Sequence, residues 1–474
     1  MLDNEDQGRW DEIADVVIVG SGFAGLVAAS EAAKTYERVL VLEKMPYSGG
    51  NSRIAGGGYC CWDSKLKLRE ELGLGEDSWR AHFDDTMRAG GLYNVPELVE
   101  VLAKEAPAGL DFLVDAGIPF RKSLPRIGGH SAYRSYQMAC SGSETMDLLQ
   151  EACFASGHVE LRRNVAVRNL FREGWRPFAD NSPGRVLGVA VADNGTIKNI
   201  RAAHGVIVAS GGYGRDVELR TAYKPSLSAA YSCTNHKGAT GEMIRFAKAV
   251  GADAVHMEFV QLYPCADPKT GGIDQAAFLC YSGTGYGLVY VNGTGQRFVN
   301  ELASREDVSN AQMNAGGKPT YSILNDRIFE LLGIGADDIA RLVERGRACK
   351  AATLSGLAEQ AGFDPTIFEE DIARHNAAIL TGVDEAFGKP MTSQMAPLDS
   401  GDFYAIPQWP SVHYCMGGLR IDAKARVIDI EGKPIPGLYA AGEVCGGVHG
   451  IDRLGGNGIA ECIVFGRIAG RLGC

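Results

Sequence analysis

The chain has 474 residues, enough for two or three domains or for one large domain with an insertion. With 45% hydrophobic and 22% charged residues it can bury a sizeable core, which excludes global disorder. Its 47 basic and 58 acidic residues leave a formal charge of −11, and this argues against nucleic acid as a partner, because phosphate neutralisation needs clustered Lys and Arg.

In chain order, Met1 to Asp15 is polar and acidic and lacks the basic-then-apolar order of a signal peptide. Ala14-Asp15-Val16-Val17-Ile18-Val19 is a β-branched run without polar alternation, the pattern of a strand buried on both faces of a parallel sheet. A glycine turn, a helix over 26–34 and a second buried strand, Val39-Leu40-Val41-Leu42-Glu43, complete a strand–helix–strand unit. Residues 78–116 and 147–156 read as helical. Residues 159–171 and 185–192 read as strands, with a turn signal between them at Asp180-Asn181-Ser182-Pro183-Gly184. Residues 205–212 predict a third buried strand ending in glycines, and 241–250 a short helix. From about 259 to 411 the pattern is less regular and richer in helices, as at 328–332 and 367–380, and reads as an inserted domain. Strand–turn–helix then returns over 437–443 and 458–472. No run approaches the ~18 apolar residues of a membrane span.

The 12 cysteines are scattered apart from Cys60-Cys61 and form no C-x-x-C, so zinc-ribbon, thioredoxin-like and iron–sulfur sites are not expected, nor is any other metal site. Reduced thiols in a cytoplasm fit this usage. Glycine is the outlier at 61 residues, clustered between apolar runs, which suggests close approach of backbone to a ligand.

One cluster, Gly20-Ser21-Gly22-Phe23-Ala24-Gly25, is G-x-G-x-x-G between the first predicted strand and its helix. The first glycine permits the tight turn, the second lets backbone approach a pyrophosphate, and the third lets helix pack on strand. Glu43, at the end of the second strand, stands where a carboxylate can accept the ribose hydroxyls of an adenosine. Further glycine clusters at Ser48-Gly49-Gly50-Asn51-Ser52, Gly56-Gly57-Gly58 and Ala441-Gly442-Glu443 favour a long dinucleotide, although spacing alone does not separate FAD from NAD.

At these residues the chain resembles the fumarate reductase/succinate dehydrogenase flavoproteins, in their soluble single-chain form. The resemblance is carried by Gly49-Gly50-Asn51-Ser52, Gly238-Ala239-Thr240-Gly241-Glu242-Met243 and Met257-Glu258-Phe259-Val260-Gln261. It continues in Arg297-Phe298-Val299-Asn300-Glu301 with Ser304-Arg305-Glu306-Asp307-Val308, in His413-Tyr414-Cys415-Met416-Gly417-Gly418, in Gly446-Gly447-Val448-His449-Gly450 and in Arg453-Leu454-Gly455-Gly456-Asn457. It implies an α/β fold: a Rossmann-like FAD-binding domain over 1–258 and 412–474, with an inserted α+β capping domain over 259–411. It implies FAD contacts at Gly20, Ser21, Gly22, Ala24, Gly25, Glu43, Lys44, Gly50, Asn51, Ser52, Gly57, Gly58, Val165, Ala209, Gly211, Glu242, Tyr414, Gly442, Glu443, Gly458 and Ile459. Asn51 occupies the position of the His that carries flavin covalently in the membrane-complex members, so FAD is expected to be non-covalent. No haem or covalent-FMN domain is expected ahead of Met1, and the electron donor or acceptor stays open.

The reaction implied is reduction of an activated C=C, or its reverse, on an unsaturated or saturated acid. Arg305 matches the proton donor, whose positioning beside a developing carbanion offsets its high ordinary pKa. Arg453 matches the guanidinium that clamps the α-side carboxylate, and His413 a second donor to it.

In dicarboxylate-specific members a Gln-x-His-Pro segment supplies a His to the second carboxylate. Here Gln261-Leu262-Tyr263-Pro264 puts Tyr263 in its place. Cys280 matches the Thr that binds the same carboxylate, and Tyr281 and Thr284 match the Glu and Arg of the proton relay. A buried second carboxylate without donors costs several kcal/mol. Tyr263, Tyr281, Cys280 and Leu262 are therefore expected to form an aromatic pocket for a monocarboxylate with an aromatic or apolar tail. The 282–284 segment lacks the acid of imidazole-binding relatives, which argues against urocanate. Two alternatives remain: a 3-ketosteroid-type flavin dehydrogenase, which lacks the Arg/His clamp, and a non-catalytic flavin-binding protein. Cys60-Cys61 reads as core packing, His130 as part of a loop, and His449 as shaping a loop near the flavin.

Overall fold

The computed structural model describes residues 10–175 and 184–473, and the turn signal at 180–183 lies outside the described residues. Five strands run parallel in the order Pro434–Ala440, Thr196–Val208, Glu12–Val19, Val39–Leu42, Val159–Arg162. Ile18 lies opposite Val41 on one side and Ile207 on the other, and all three are fully buried. Helices cover this sheet, which is why its strands read as unbroken apolar runs. The helices Phe23–Ala32 and Asn457–Gly470 pack against each other, and Gly466 and Gly470 of the latter sit on the backbone of Ala24 and Ala28. The result is the Rossmann-like α/β arrangement expected from the first motif.

A second core gathers around a five-stranded sheet of Val260–Ala266, Phe403–Cys415, Thr320–Asn325, Val289–Val291 and Cys349–Ala351. The strand Phe403–Cys415 belongs to both cores. Its first half pairs with Thr320–Asn325, and its second half with Val260–Ala266. Phe403 and Ile406 are buried in the second core, Val412 and Cys415 in the first.

Three elements differ from the sequence reading. Residues 159–171 form two strands, broken where Asn164 takes φ +60°; Val159–Arg162 stays in the parallel sheet while Val165–Arg172 turns into a hairpin with Val186–Asp193. Thr196–Val208 begins earlier than expected, because its polar first half pairs with that hairpin. Within 259–411 strands were under-read, since Thr320–Asn325 buries polar side chains that satisfy each other: the Ser322 hydroxyl donates to Gln408 Oε1 at 2.8 Å. Such pairs hide the apolar alternation that marks a strand. Among the described residues, no helix is long and apolar enough to cross a membrane, and the eleven described cysteines are free thiols.

Gly20 has φ +107°, and a Cβ on Gly25 would stand 2.0 Å from the Gly20 carbonyl oxygen. The first turn of the helix therefore lies directly on the strand-ending turn. Ala exceeds Gly in helix propensity by about 1 kcal/mol, yet here the contact is with backbone that cannot rotate away. Gly25→Ala is expected to lower stability by about 1–3 kcal/mol, the usual cost of overpacking. Thermal unfolding and FAD release read by fluorescence check this; a stabilised variant would show that the turn yields.

Candidate active site

The carboxyl ends of the parallel strands open onto a cavity of about 470 Å³, where α/β sheets place their ligands. Its wall includes Gly20 to Ala24 after the first strand, Glu43 to Met45 after the second, Ala209 to Gly211 after Thr196–Val208, and Ala441 to Glu443 after Pro434–Ala440. Every residue expected to contact the cofactor lines it except Gly25, whose contact with the Gly20 carbonyl gives it a packing role instead.

The donors and acceptors along this wall suit a dinucleotide. The helix Phe23–Ala32 begins at Gly22 with no side-chain cap, leaving its first N–H groups to face an anion; only Phe23 N–H is taken, by Ser52 Oγ at 2.9 Å. A Cβ on Gly50 or Gly211 would meet open space, so the backbone there is bare toward the cavity. Glu43 accepts from the Ser21 hydroxyl at 2.6 Å and from Met45 N–H at 2.9 Å, which fixes the carboxylate and leaves lone pairs for a ribose. Lys44 Nζ pairs with Glu242 at 2.7 Å and donates to Thr240 Oγ1 at 2.6 Å. Asn51 is fully engaged: it donates to Glu443 at 3.2 Å and accepts from His236 N–H at 2.7 Å. Burial pushes the Glu443 carboxyl up to about 7, even though Cys415 N–H and Asn51 favour its charged form.

At the other end of the cavity two guanidinium groups meet. Arg305 opens the helix Arg305–Asn314, whose start is capped by Ser304, and Arg453 lies on the loop before Asn457–Gly470. They are 7% and 5% exposed. Arg305 Nη1 and Arg453 Nη2 donate to the same oxygen, Gln261 Oε1, at 3.0 and 3.1 Å. Aromatic faces support both: the Arg305 guanidinium lies 4.4 Å from the Tyr281 ring centre and 4.9 Å from that of Tyr263, and the Arg453 guanidinium 4.3 Å from that of Tyr414. The Nε of each arginine is buried without a partner. His413 also lines this end. Its Nδ1 pairs with the Thr234 hydroxyl at 2.8 Å. Burial, then the charges of Arg305 and Arg453, hold His413 well below the usual imidazole range, so it is neutral, with Nδ1 engaged by Thr234.

Some residues differ from expectation. The Tyr263 hydroxyl donates to the Ala277 carbonyl at 2.9 Å, so the side chain offers its ring and not a free hydroxyl. Leu262 points away from the cavity, because strand alternation puts Gln261 and Tyr263 on one face and Leu262 on the other. Cys280 also leaves the cavity: on the helix Gln275–Ser282, Phe278, Tyr281 and Ser282 share the inward stripe. Ser282, with an unpartnered buried hydroxyl, stands in the wall instead of Cys280. Thr284 is fully buried and bonds the Tyr281 carbonyl, so it is not part of a path to Arg305.

Gln261, Asp452 and Thr234 were not singled out from the sequence as site residues. The Gln of the Gln-x-x-Pro segment was the available signal for the first. Thr234 reaches His413 across 179 residues, with no local mark. The Arg453 loop is held by a buried network: Arg134 pairs with Asp77 and Asp85, and His130 Nε2 bonds the Gly455 carbonyl at 2.9 Å. A Cβ on Gly456 would meet Cys60 Sγ at 2.4 Å, so this bend packs directly on Cys60, whose thiol burial pushes up to about 12. Tyr414 and His449 both bond Glu461, which ties the two later motifs together beneath Arg453.

A family model described as an FAD binding domain matches residues 15–459. The acrylate reductase flavoprotein subunit of Shewanella woodyi is 34% identical over 99% of this chain and 93% of its own length. The urocanate reductase of Eggerthella lenta is 30% identical over 96% of this chain and 74% of its own. A solved open conformation of a flavocytochrome c3 fumarate reductase superposes with a TM-score of 0.73 at 31% identity, covering 98% of this chain and 78% of that one. A 3-ketosteroid-Δ4-(5α)-dehydrogenase structure, at TM-score 0.71 and 23% identity over 99% of this chain and 98% of that one, shares the fold. The chain therefore belongs to the fumarate reductase/succinate dehydrogenase flavoproteins, and its cofactor is FAD.

Proposed function

We propose that this protein is an FAD-dependent 2-enoate reductase or dehydrogenase that acts on a monocarboxylate with an aromatic or apolar tail. The observation that carries this reading is the convergence of Arg305, Arg453 and neutral His413 on one end of the cavity. FAD supplies the two-electron redox chemistry when bound. Arg453 takes the substrate carboxylate and, with His413, draws charge onto it as the α-carbon gains enolate character. Arg305 holds the proton for that carbon. Its neighbour Arg453 is pulled below its ordinary pKa by burial and by Arg305, so an anionic substrate relieves the repulsion between them.

The tail follows from what lines the rest of this end: Ile127, Ile273, Phe278, and the rings of Tyr263 and Tyr281. The Tyr263 hydroxyl is already committed to Ala277, so it offers no donor to a second carboxylate. The named relatives reduce acrylate, urocanate and fumarate, which supports a 2-enoate and leaves its tail to the cavity wall. We read the FAD as non-covalent, since Asn51 has no nucleophilic atom to carry it.

Three outcomes test this. Anaerobically reduced enzyme is expected to be reoxidised by cinnamate-type acids and not by fumarate; the reverse order would sink the tail assignment. Arg305→Ala should retain FAD and lose turnover by at least about 10²-fold, the contribution of a positioned proton donor. Normal turnover in that variant would remove Arg305 from the role. Acid precipitation should release the yellow cofactor into the supernatant, whereas colour in the pellet would show a covalent bond.

A further inference from the structure

Gln261 Oε1 faces two groups that only donate, the Arg305 and Arg453 guanidiniums. Its Nε2 faces two acceptors, the Asp452 carboxylate and the Arg453 backbone carbonyl at 2.7 Å. All four partners require the same amide orientation. Turned over, the amide would set N–H against N–H on one side and oxygen against oxygen on the other. Asp452 is 4% exposed. Its second oxygen accepts the Glu306 backbone N–H at 3.3 Å, in the first turn of the helix that presents Arg305. One carboxylate thus ties the Arg453 loop, the Gln261 strand and the Arg305 helix.

We propose that Asp452 is a positioning residue for the reaction: by accepting from Gln261 Nε2 it locks the amide oxygen toward Arg305 and Arg453 and so sets proton donor and carboxylate clamp in register. This rests on the enoate reading above. The charged form is the one that does the work, because a protonated carboxyl turns one acceptor into a donor. Burial pushes the Asp452 carboxyl above its usual range, against Gln261 and the nearby arginines. The charged groups around it are Arg305 and Glu306 on the helix, Arg453 on its own loop, and Lys224, which lies 3.7 Å from Glu306. As pH falls, protonation of Asp452 weakens its hold on Gln261 Nε2 and on the Glu306 N–H, which loosens the register between the Arg305 helix and the Arg453 loop.

The test is a double-mutant cycle on the flavin-loaded enzyme, with reoxidation by cinnamate as the readout. Asp452→Asn and Gln261→Leu are each expected to keep FAD, lower kcat by about 10- to 100-fold and raise KM, the scale of misplaced positioning groups. Because Asp452 acts through Gln261, the double variant should be no worse than Gln261→Leu alone. The acid limb of the wild-type kcat profile should vanish in both single variants. Multiplying effects, or an Asp452→Asn enzyme that matches wild type at every pH, would overturn the proposal. Should Asp452→Asn lose its flavin, persistence of the acid limb in Gln261→Leu would overturn it equally. A wild-type enzyme that cinnamate and acrylate both fail to reoxidise would instead overturn the enoate reading.

Discussion

Two positive charges share one neutral oxygen in a buried place, and much of the structure around the cavity serves to make that tolerable. Guanidinium groups repel at this range, and burial removes the water that would screen them. The chain answers with rings under each cation, a single amide oxygen between them, and one carboxylate behind the amide. It does not pair each arginine with its own carboxylate. Such pairing would satisfy the free protein and leave no donor for an anionic ligand. In the proposed reaction, an anionic substrate would take the place that a carboxylate partner would otherwise fill beside Arg305 and Arg453.

The histidine fits the same logic. A protonated His413 would add a third positive charge beside two others. Burial and the arginines keep it neutral, so it contributes a donor without charge. Thr234 holds Nδ1 and so fixes the orientation of the ring.

The strand–turn–helix that cradles the nucleotide was legible in the sequence because its signals are local. A β-branched run, three glycines and a terminal acid occupy Val16 to Glu43. The parallel sheet follows from the absence of polar alternation in those strands. The second sheet was harder to see, since Thr320, Ser322 and Gln408 are polar and fully buried, which inverts the pattern on which strand reading depends. The motif resemblance led to Arg305, Arg453 and His413, and the structure brings them together. It did not fix which neighbours face inward. A one-residue change of parity separates Tyr263 from Leu262, and a fraction of a helical turn separates Ser282 from Cys280. Partners such as Asp452 and Thr234 depend on how distant segments dock, and no spacing rule marks them.

The strand Phe403–Cys415 has a mechanical consequence. It is one continuous ribbon paired along its length within the five-stranded sheet and bridged at Val412 to Cys233, and it carries His413 and Tyr414 to the cavity. Sliding it past its neighbours would break the ladders on both of its edges. A displacement of this sheet is therefore passed along the strand to the imidazole it carries.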